Sequence, residues 1–329
     1  FIPVVAYGIL MLGRKFPVNE RVAAGVSYRE MLAEAGFGGA FVVNYLMFAE
    51  VSSKFGWSET IMWVLVGASS IGFGLYTRSL GRPLFVFLLL IMIPLATTEL
   101  GTDSWITDLM TPAMAEIGLQ GGWVLVYTSF IMMVLRFRAG PIVHRLSPLG
   151  LLAISSLVAA AGLVALSQST GVAILLAATL YGVGKSFFWP TMLGVVAEQS
   201  PKGGALTLNA AGGVGMLGVG IVGAVFLGAI QDREVAKQLE VYDTANTTTL
   251  VDQYVTLDRT SVFGDYRALD PDKRSLAPEG DESAITSIEG VAKKTALRTT
   301  AVFPLIMFLC YLMLILYFRA RGGYRPVEL

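Results

Sequence analysis

Long apolar runs, most of them about the length of a membrane-crossing helix, alternate along this chain with short polar stretches, and the alternation predicts a bundle of transmembrane helices. The runs lie at Phe1 to Gly13, Phe37 to Ser53, Glu59 to Thr77, Phe85 onward, Gly122 to Leu135, Leu149 to Leu166, Gly171 to Ala197, Leu206 to Ile230 and Thr299 to Phe318. Basic residues gather on alternate connections: Arg14, Lys15 and Arg21, then Arg78 and Arg82, then Arg136, Arg138 and Arg145, then Lys202, and finally Arg319, Arg321 and Arg325. Such clusters mark the cytoplasmic side, so the short connections all fit one topology with the C-terminus inside.

This pattern divides the chain. Residues 1–13 read as the end of a helix that began before the sequence does, and residues 14–36 as a cytoplasmic linker lying along the inner surface. Residues 37–77 form a two-helix transmembrane hairpin whose Trp57 and Trp63 suit an interfacial belt. Five helices follow over 83–230. Residues 231–298 form an external segment, helical through Leu239 and again from Ile285 to Thr295, with loop between them because Asp270 to Asp281 is rich in Pro, Gly, Asp and Glu. Residues 299–329 are a last helix and a cytoplasmic tail.

Composition sharpens the class. Of 329 residues, 54% are hydrophobic and 15% charged, which makes this an all-α polytopic membrane protein with the lipid bilayer as its surroundings. A net charge of zero without a basic block gives no footprint for nucleic acid. One cysteine, Cys310, and one histidine, His144, exclude a disulfide framework and a Cys or His metal cluster, and no cofactor is expected.

The candidate chemistry centres on PLFVFLLLIMIPLATTELGTDSWITDL, residues 83–109. Glu99 and Asp103 are four residues apart, so a helix carries both carboxylates on one face, where a bundle interior or a water-filled cavity could solvate them. Pro94 and Gly101 bracket them, and helix breakers at membrane depth are tolerated where backbone lines protein or a cavity. The alternative is a helix that leaves the membrane early, with Asp103 and Asp108 in water. In YGVGKSFFWPTM, Lys185 lies near the middle of its run, at the depth of Glu99, and a Lys185 to Glu99 pair is allowed. Lys185 could instead meet backbone carbonyls beside Pro190 or reach a solvated vestibule. Gly182, Gly184 and Pro190 interrupt this helix as Pro94 and Gly101 interrupt the other, and matched interruptions point to a midplane binding site. The glycines from Gly212 to Gly223 read as a packing surface. Trp105, Tyr127, Thr128, Ser129 and Trp189 supply hydroxyls and aromatic faces that suit polar organic solutes, though aromatics are common membrane core too.

With six spans from Pro83 on and RFRAGPIVHRLSP after the second, the layout resembles the C-terminal half of a major facilitator superfamily transporter, preceded by a partial helix and an inserted transmembrane hairpin. In that family's gating loop, Gly140 and Arg145 match, while His144 stands where the family has Asp and Ser147 where it has a second Gly. TTELGTDSW and GVGKSFFWPTM look most like the fucose and glucose/galactose sugar:proton symporters. The extra hairpin is similar to that of fourteen-helix exporters and proton-coupled oligopeptide transporters, whose peptide motifs are not found here. The resemblance implies a six-helix bundle that moves a small polar, sugar-like solute by alternating access, with H+ as coupling ion and the bacterial inner membrane as its location. It implies that Glu99 and Lys185 set the charge of the cavity, that Asp103 and Trp105 contact solute, and that Tyr127 and Trp189 form walls. Export of an apolar or cationic compound is the nearest rival, and uptake of an anion would make Lys185 the solute contact. A non-transporting sensor is a further alternative. An enzyme would have only Glu99, Asp103 and Lys185 to work with.

Overall fold

In the computed structural model, residues 2–14, 17–103, 106–107, 111, 114, 118–171, 173–259 and 264–328 are described. In chain order the helices are α1 (Ile2–Met11), α2 (Glu20–Ala23), α3 (Tyr28–Ala33), α4 (Gly36–Phe55), α5 (Glu59–Thr77), α6 (Pro83–Ala96), α7 (Trp123–Phe137), α8 (Ala139–Leu146), α9 (Pro148–Gln168), α10 (Ala173–Lys185), α11 (Phe188–Gln199) and α12 (Ala205–Gly218). Then come α13 (Ala224–Asn246), α14 (Leu250–Tyr254), strands β1 (Leu257–Arg259) and β2 (Tyr266–Ala268), α15 (Pro271–Ser275), α16 (Glu279–Thr300) and α17 (Val302–Ala320). Two π turns, Thr97–Gly101 and Val219–Gly223, continue α6 and join α12 to α13. The fold is nearly all helical, and five stretches are long and apolar enough to cross a membrane: Glu59–Thr77, Pro83–Gly101, Pro148–Gln168, Ala205–Asn246 and Glu279–Ala320.

Local sequence explains where these helices start and stop. α4 ends at Gly56, in the left-handed conformation at φ 64°, and Ser58 caps α5 by accepting the Ile61 N–H. Pro83 and Pro148 open α6 and α9, where a missing N–H costs nothing. The α4–α5 hairpin is tied to the start of α6 by backbone: the N–H groups of Phe37 and Gly38 donate to the carbonyls of Ser79 and Leu80, and the Arg82 N–H donates to the Glu34 carbonyl. Gly36 and Gly81 permit this approach, because both have positive φ and a Cβ on Gly36 would meet the Ser79 carbonyl at 2.7 Å.

The core runs from Phe85, Leu88 and Met92 on α6 through Leu152, Ala159 and Leu163 on α9 to Tyr181, Phe188, Met307 and Tyr311. α9 packs against α10, α11, α16 and α17, and α6 against α12, α17 and α4. Close approach of α9 and α10 depends on Gly162 and Gly184, where a Cβ would lie 2.6 Å from Tyr181 and 2.7 Å from the Ala159 Cα. Glu99 and Lys185 are buried, while Leu305, Leu309, Leu312, Met313 and Leu316 of α17 are exposed, a distribution compatible with an acyl-chain environment.

The interruption read from Gly182, Gly184 and Pro190 is present, since α10 stops at Lys185 and α11 begins at Phe188. Two expectations are corrected. The basic connection after the second span is not a loop. α7 and α8 are separated by Arg138 alone, and only Ser147, at φ 58°, separates α8 from α9. Pro141 suggests a loop in sequence, but it falls in the first turn of α8, where proline is tolerated. Finally, residues 247–278 are not simple loop. α13 continues to Asn246, and β1 pairs antiparallel with β2 through Leu257 and Ala268, Asp258 and Arg267, and Arg259 and Tyr266. Val235, Leu239, Leu250, Tyr254, Ile285 and Ile288 make a second, separate core beneath them. Tyr254 donates to Asp281 at 2.9 Å, and Arg274 pairs with Glu289 at 2.7 Å.

Candidate functional site: four charges inside the bundle

The site starts from a defect in α6. Pro94 has no N–H to give the helix, and the ladder widens into the π turn at Thr97–Gly101. Threonines return side-chain bonds to the loosened backbone: Thr97 donates to the Ile93 carbonyl at 2.9 Å, Thr98 to the Pro94 carbonyl at 2.7 Å, and Thr102 to the Thr98 carbonyl at 3.0 Å. The widened turn carries Glu99 inward, and Asp103 follows.

A second defect faces it. Where α10 ends and α11 begins, carbonyls and N–H groups lose their partners within the helix. Arg136 of α7 donates Nε–H to the Ser186 carbonyl at 2.9 Å. Glu99 accepts the Trp189 N–H on Oε2 at 3.2 Å, placing a carboxylate at the positive end of α11. Arg136 Nη2 then meets Glu99 Oε1, also at 3.2 Å, so the two side chains that satisfy the break also satisfy each other.

Lys185, at the negative end of α10, is ion-paired with Asp103. The sequence-level pairing of Lys185 with Glu99 is therefore corrected: each carboxylate has its own cation. The Lys185 Nζ also sits 5.3 Å from the centre of the Tyr181 ring, one turn earlier on α10. The buried Tyr181 hydroxyl lies within hydrogen-bond reach of the Thr102 hydroxyl and the Thr98 carbonyl.

Arg136 is 13 residues from the start of α7, about 20 Å, and Lys185 is 12 residues from the start of α10, about 18 Å, so the two cations lie at similar distances along their helices. Arg136 is the member of this cluster missed in sequence, because its neighbours Arg138 and Arg145 made it read as a loop cation. The signal that could have found it was the 15-residue length of α7, too short to reach the far side before Arg136.

The remaining candidates fall in different places. The Tyr127 hydroxyl shares a 2.6 Å hydrogen bond with Thr179, and its ring is 39% exposed on α7. The Trp189 ring lies over Gly215, where a Cβ would meet it at 3.0 Å, so it packs between α11 and α12. Gly215, Gly218 and Gly223 press on Met92, Ile93 and Thr97, which is the packing role read from the sequence. Gly140 and Arg145 are exposed on α8. The backbone of His144 is in α8, while its side chain, and Trp105 as a whole, lie outside the described residues. Among the described residues no group of His, Cys, Asp and Glu could hold a metal ion.

No family model, curated protein or solved structure matches this chain.

Proposed function

We propose that the chain is a secondary transporter of the major facilitator type that moves a small polar organic solute by alternating access, with H+ as coupling ion. The observation that carries this reading is the convergence of four charged side chains, with Glu99 and Lys185 buried in an apolar bundle and Asp103 and Arg136 partly exposed beside them, where the backbone of α6 widens and that of α10 and α11 breaks. Buried ionisable groups in a membrane bundle are costly, and they mark solute or ion pathways. Interrupted helices that turn their polar ends toward one another at that depth are the architecture of a solute site in transporters. In this reading α6, α7, α10 and α11 line the pathway, and the glycine face of α12 is a surface on which the bundle rocks.

The test is reconstitution of the full-length protein in vesicles, with uptake of radiolabelled hexoses, deoxyhexoses, dipeptides and organic anions followed under an imposed pH gradient. Gradient-driven uptake that Glu99→Gln abolishes supports the reading. Extrusion of a hydrophobic cation with no uptake would move the assignment to an exporter, and absence of all flux would remove transport.

A further inference from the structure

The α4–α5 hairpin does not close fully onto the bundle. Between them lies a cavity of about 350 Å³, walled by five separate helices: Met31 from α3, Val43 from α4, Phe73 from α5, Leu89 from α6 and Leu206 from α12. An apolar cavity of about 150 Å³ already stays dry and takes a benzene ring. The lining extends along α4 from Gly39 to Asn44, about 8 Å by the helical rise.

Three polar side chains reach the walls, and each is already bonded within the protein. Ser69 donates to the Leu65 carbonyl at 2.6 Å, Thr207 to the Gly204 carbonyl at 3.0 Å, and Asn44 to the Ser70 hydroxyl at 3.1 Å. Buried water needs about three hydrogen bonds, so this space favours hydrocarbon over water. Val43, Phe73 and Leu206 are only half-buried, so the cavity opens to the outside of the bundle.

The opening lies where a charge is waiting. Gly39 and Leu206 stand in the first turns of α4 and α12, at the end of the bundle that carries the basic connections. There the Arg21 side chain lies over the start of α12, its Cγ 2.9 Å from where a Cβ on Gly204 would sit. Its guanidinium has no hydrogen bond or ion pair among the described residues. Lys202 nearby is offset by Glu30, whose carboxylate also accepts the Ser27 N–H and hydroxyl at 2.8 Å. Arg21 is therefore the cation left for an anion from outside.

We propose that the cavity is a lipid site, which takes one acyl chain of an anionic phospholipid from the leaflet on the basic side, with the phosphate held at Arg21. The chain fills the seam between hairpin and bundle, and the phosphate ties the segment before α3 to the start of α12. The assignment stands apart from the transporter reading, since it uses none of the four charges of the central cluster.

The experiment uses the full chain in phosphatidylcholine nanodiscs with a small fraction of phosphatidylglycerol that carries a diazirine midway along one acyl chain. After illumination and digestion, mass spectrometry locates the adducts. They should concentrate on residues 39–44, 69–73 and 206–210, above the level on the exposed face of α17. A phosphatidylcholine probe with the same chains should label these residues about fivefold less, and Arg21→Gln should bring the phosphatidylglycerol yield down to that level. Arg319→Gln, a charge removed from the same side, should change nothing. Ala210→Phe fills the cavity and should remove these adducts while leaving those on α17, and Val43→Phe does the same from the hairpin if the first variant fails to fold. Adducts no denser in the cavity than on α17, or undiminished in both filled variants, would overturn the chain site. Equal labelling by the two headgroups, or an equal loss in Arg319→Gln, would overturn the phosphate contact. Labelling by a diazirine fatty acid as strong as by the phospholipid, and as sensitive to Arg21→Gln, would overturn the phospholipid as occupant.

Discussion

Asp103 and Lys185 share an ion pair but not an environment: the lysine side chain is 2% exposed and the aspartate 30%. Removing one partner is therefore not equivalent to removing the other. Asp103→Asn strands a buried ammonium and should cost about 3 kcal/mol. Lys185→Met leaves a carboxylate that water can reach and should cost about 1 kcal/mol. Unfolding of the two variants in the same detergent measures the difference, and a larger loss for Lys185→Met would contradict this account.

The Arg136–Glu99 pair makes the complementary case. Arg136→Met leaves Glu99 buried beside the Trp189 N–H alone, and the loss should be about 2 kcal/mol, below that of a fully buried pair because the guanidinium is partly exposed. Adding Glu99→Gln to that variant should recover part of the loss, since a neutral amide can still accept the Trp189 N–H. A double mutant less stable than Arg136→Met would show that the carboxylate is held by something else.

Two glycines on α10 separate packing from flexibility. A Cβ on Gly184 would lie 2.7 Å from the Ala159 Cα, while one on Gly182 would find Thr128 at 3.7 Å. Gly184→Leu should force α9 and α10 apart and cost at least about 3 kcal/mol, the upper end for overpacking. Gly182→Ala should be within about 0.5 kcal/mol of wild type or better, because alanine favours helix. Thermal unfolding of both variants checks the contrast.

The tail beyond α17 folds back onto α11. The Tyr324 hydroxyl donates to Glu198 at 2.6 Å, Gln199 donates to the Arg325 carbonyl at 2.8 Å, and the Val327 N–H donates to the Glu198 carbonyl at 2.9 Å. Burial, and then the hydrogen bond to Glu198, push the Tyr324 phenol above its ordinary value of 10. A raised value in the folded state means that the stabilisation is complete below pH 10 and is lost as pH rises beyond it. Melting temperature should therefore fall more steeply above pH 10 in the wild type than in Tyr324→Phe, and parallel curves would remove the phenol from the latch.

The small core outside the bundle predicts resistance to proteolysis. Arg259 and Arg267 are trypsin sites on β1 and β2, and Arg267 reaches Asp258 across the hairpin. In the wild type both should be cut slowly, and Leu239→Ala, which empties the centre of that core, should speed cutting at both. Rapid cutting in the wild type would mean that residues 247–278 behave as loop.

Several features were legible in the chain because they are local. The limits of α5, α9 and α17 follow from apolar runs, Gly and Pro boundaries and caps, and they agree with the sequence to within about two or three residues. Glu99 and Asp103 were found because charge inside an apolar run is conspicuous. The pairing was not legible. Rise counting placed Lys185 level with Glu99 but could not include the π turn, which rotates the carboxylates so that Asp103 meets Lys185. Arg136 was hidden by its basic neighbours, and the β1–β2 hairpin by its three-residue strands.

The sequence by itself determined that the chain is nearly all helical, with helices long and apolar enough to cross a membrane, and that ionisable groups lie within those apolar runs, because run length and the position of a charge in it need no neighbours to be read. Only the tertiary structure decided which carboxylate meets which cation and that Arg136 joins the cluster. Those depend on side chains brought together from α6, α7, α10 and α11, where a backbone defect in one helix is satisfied by side chains from two others.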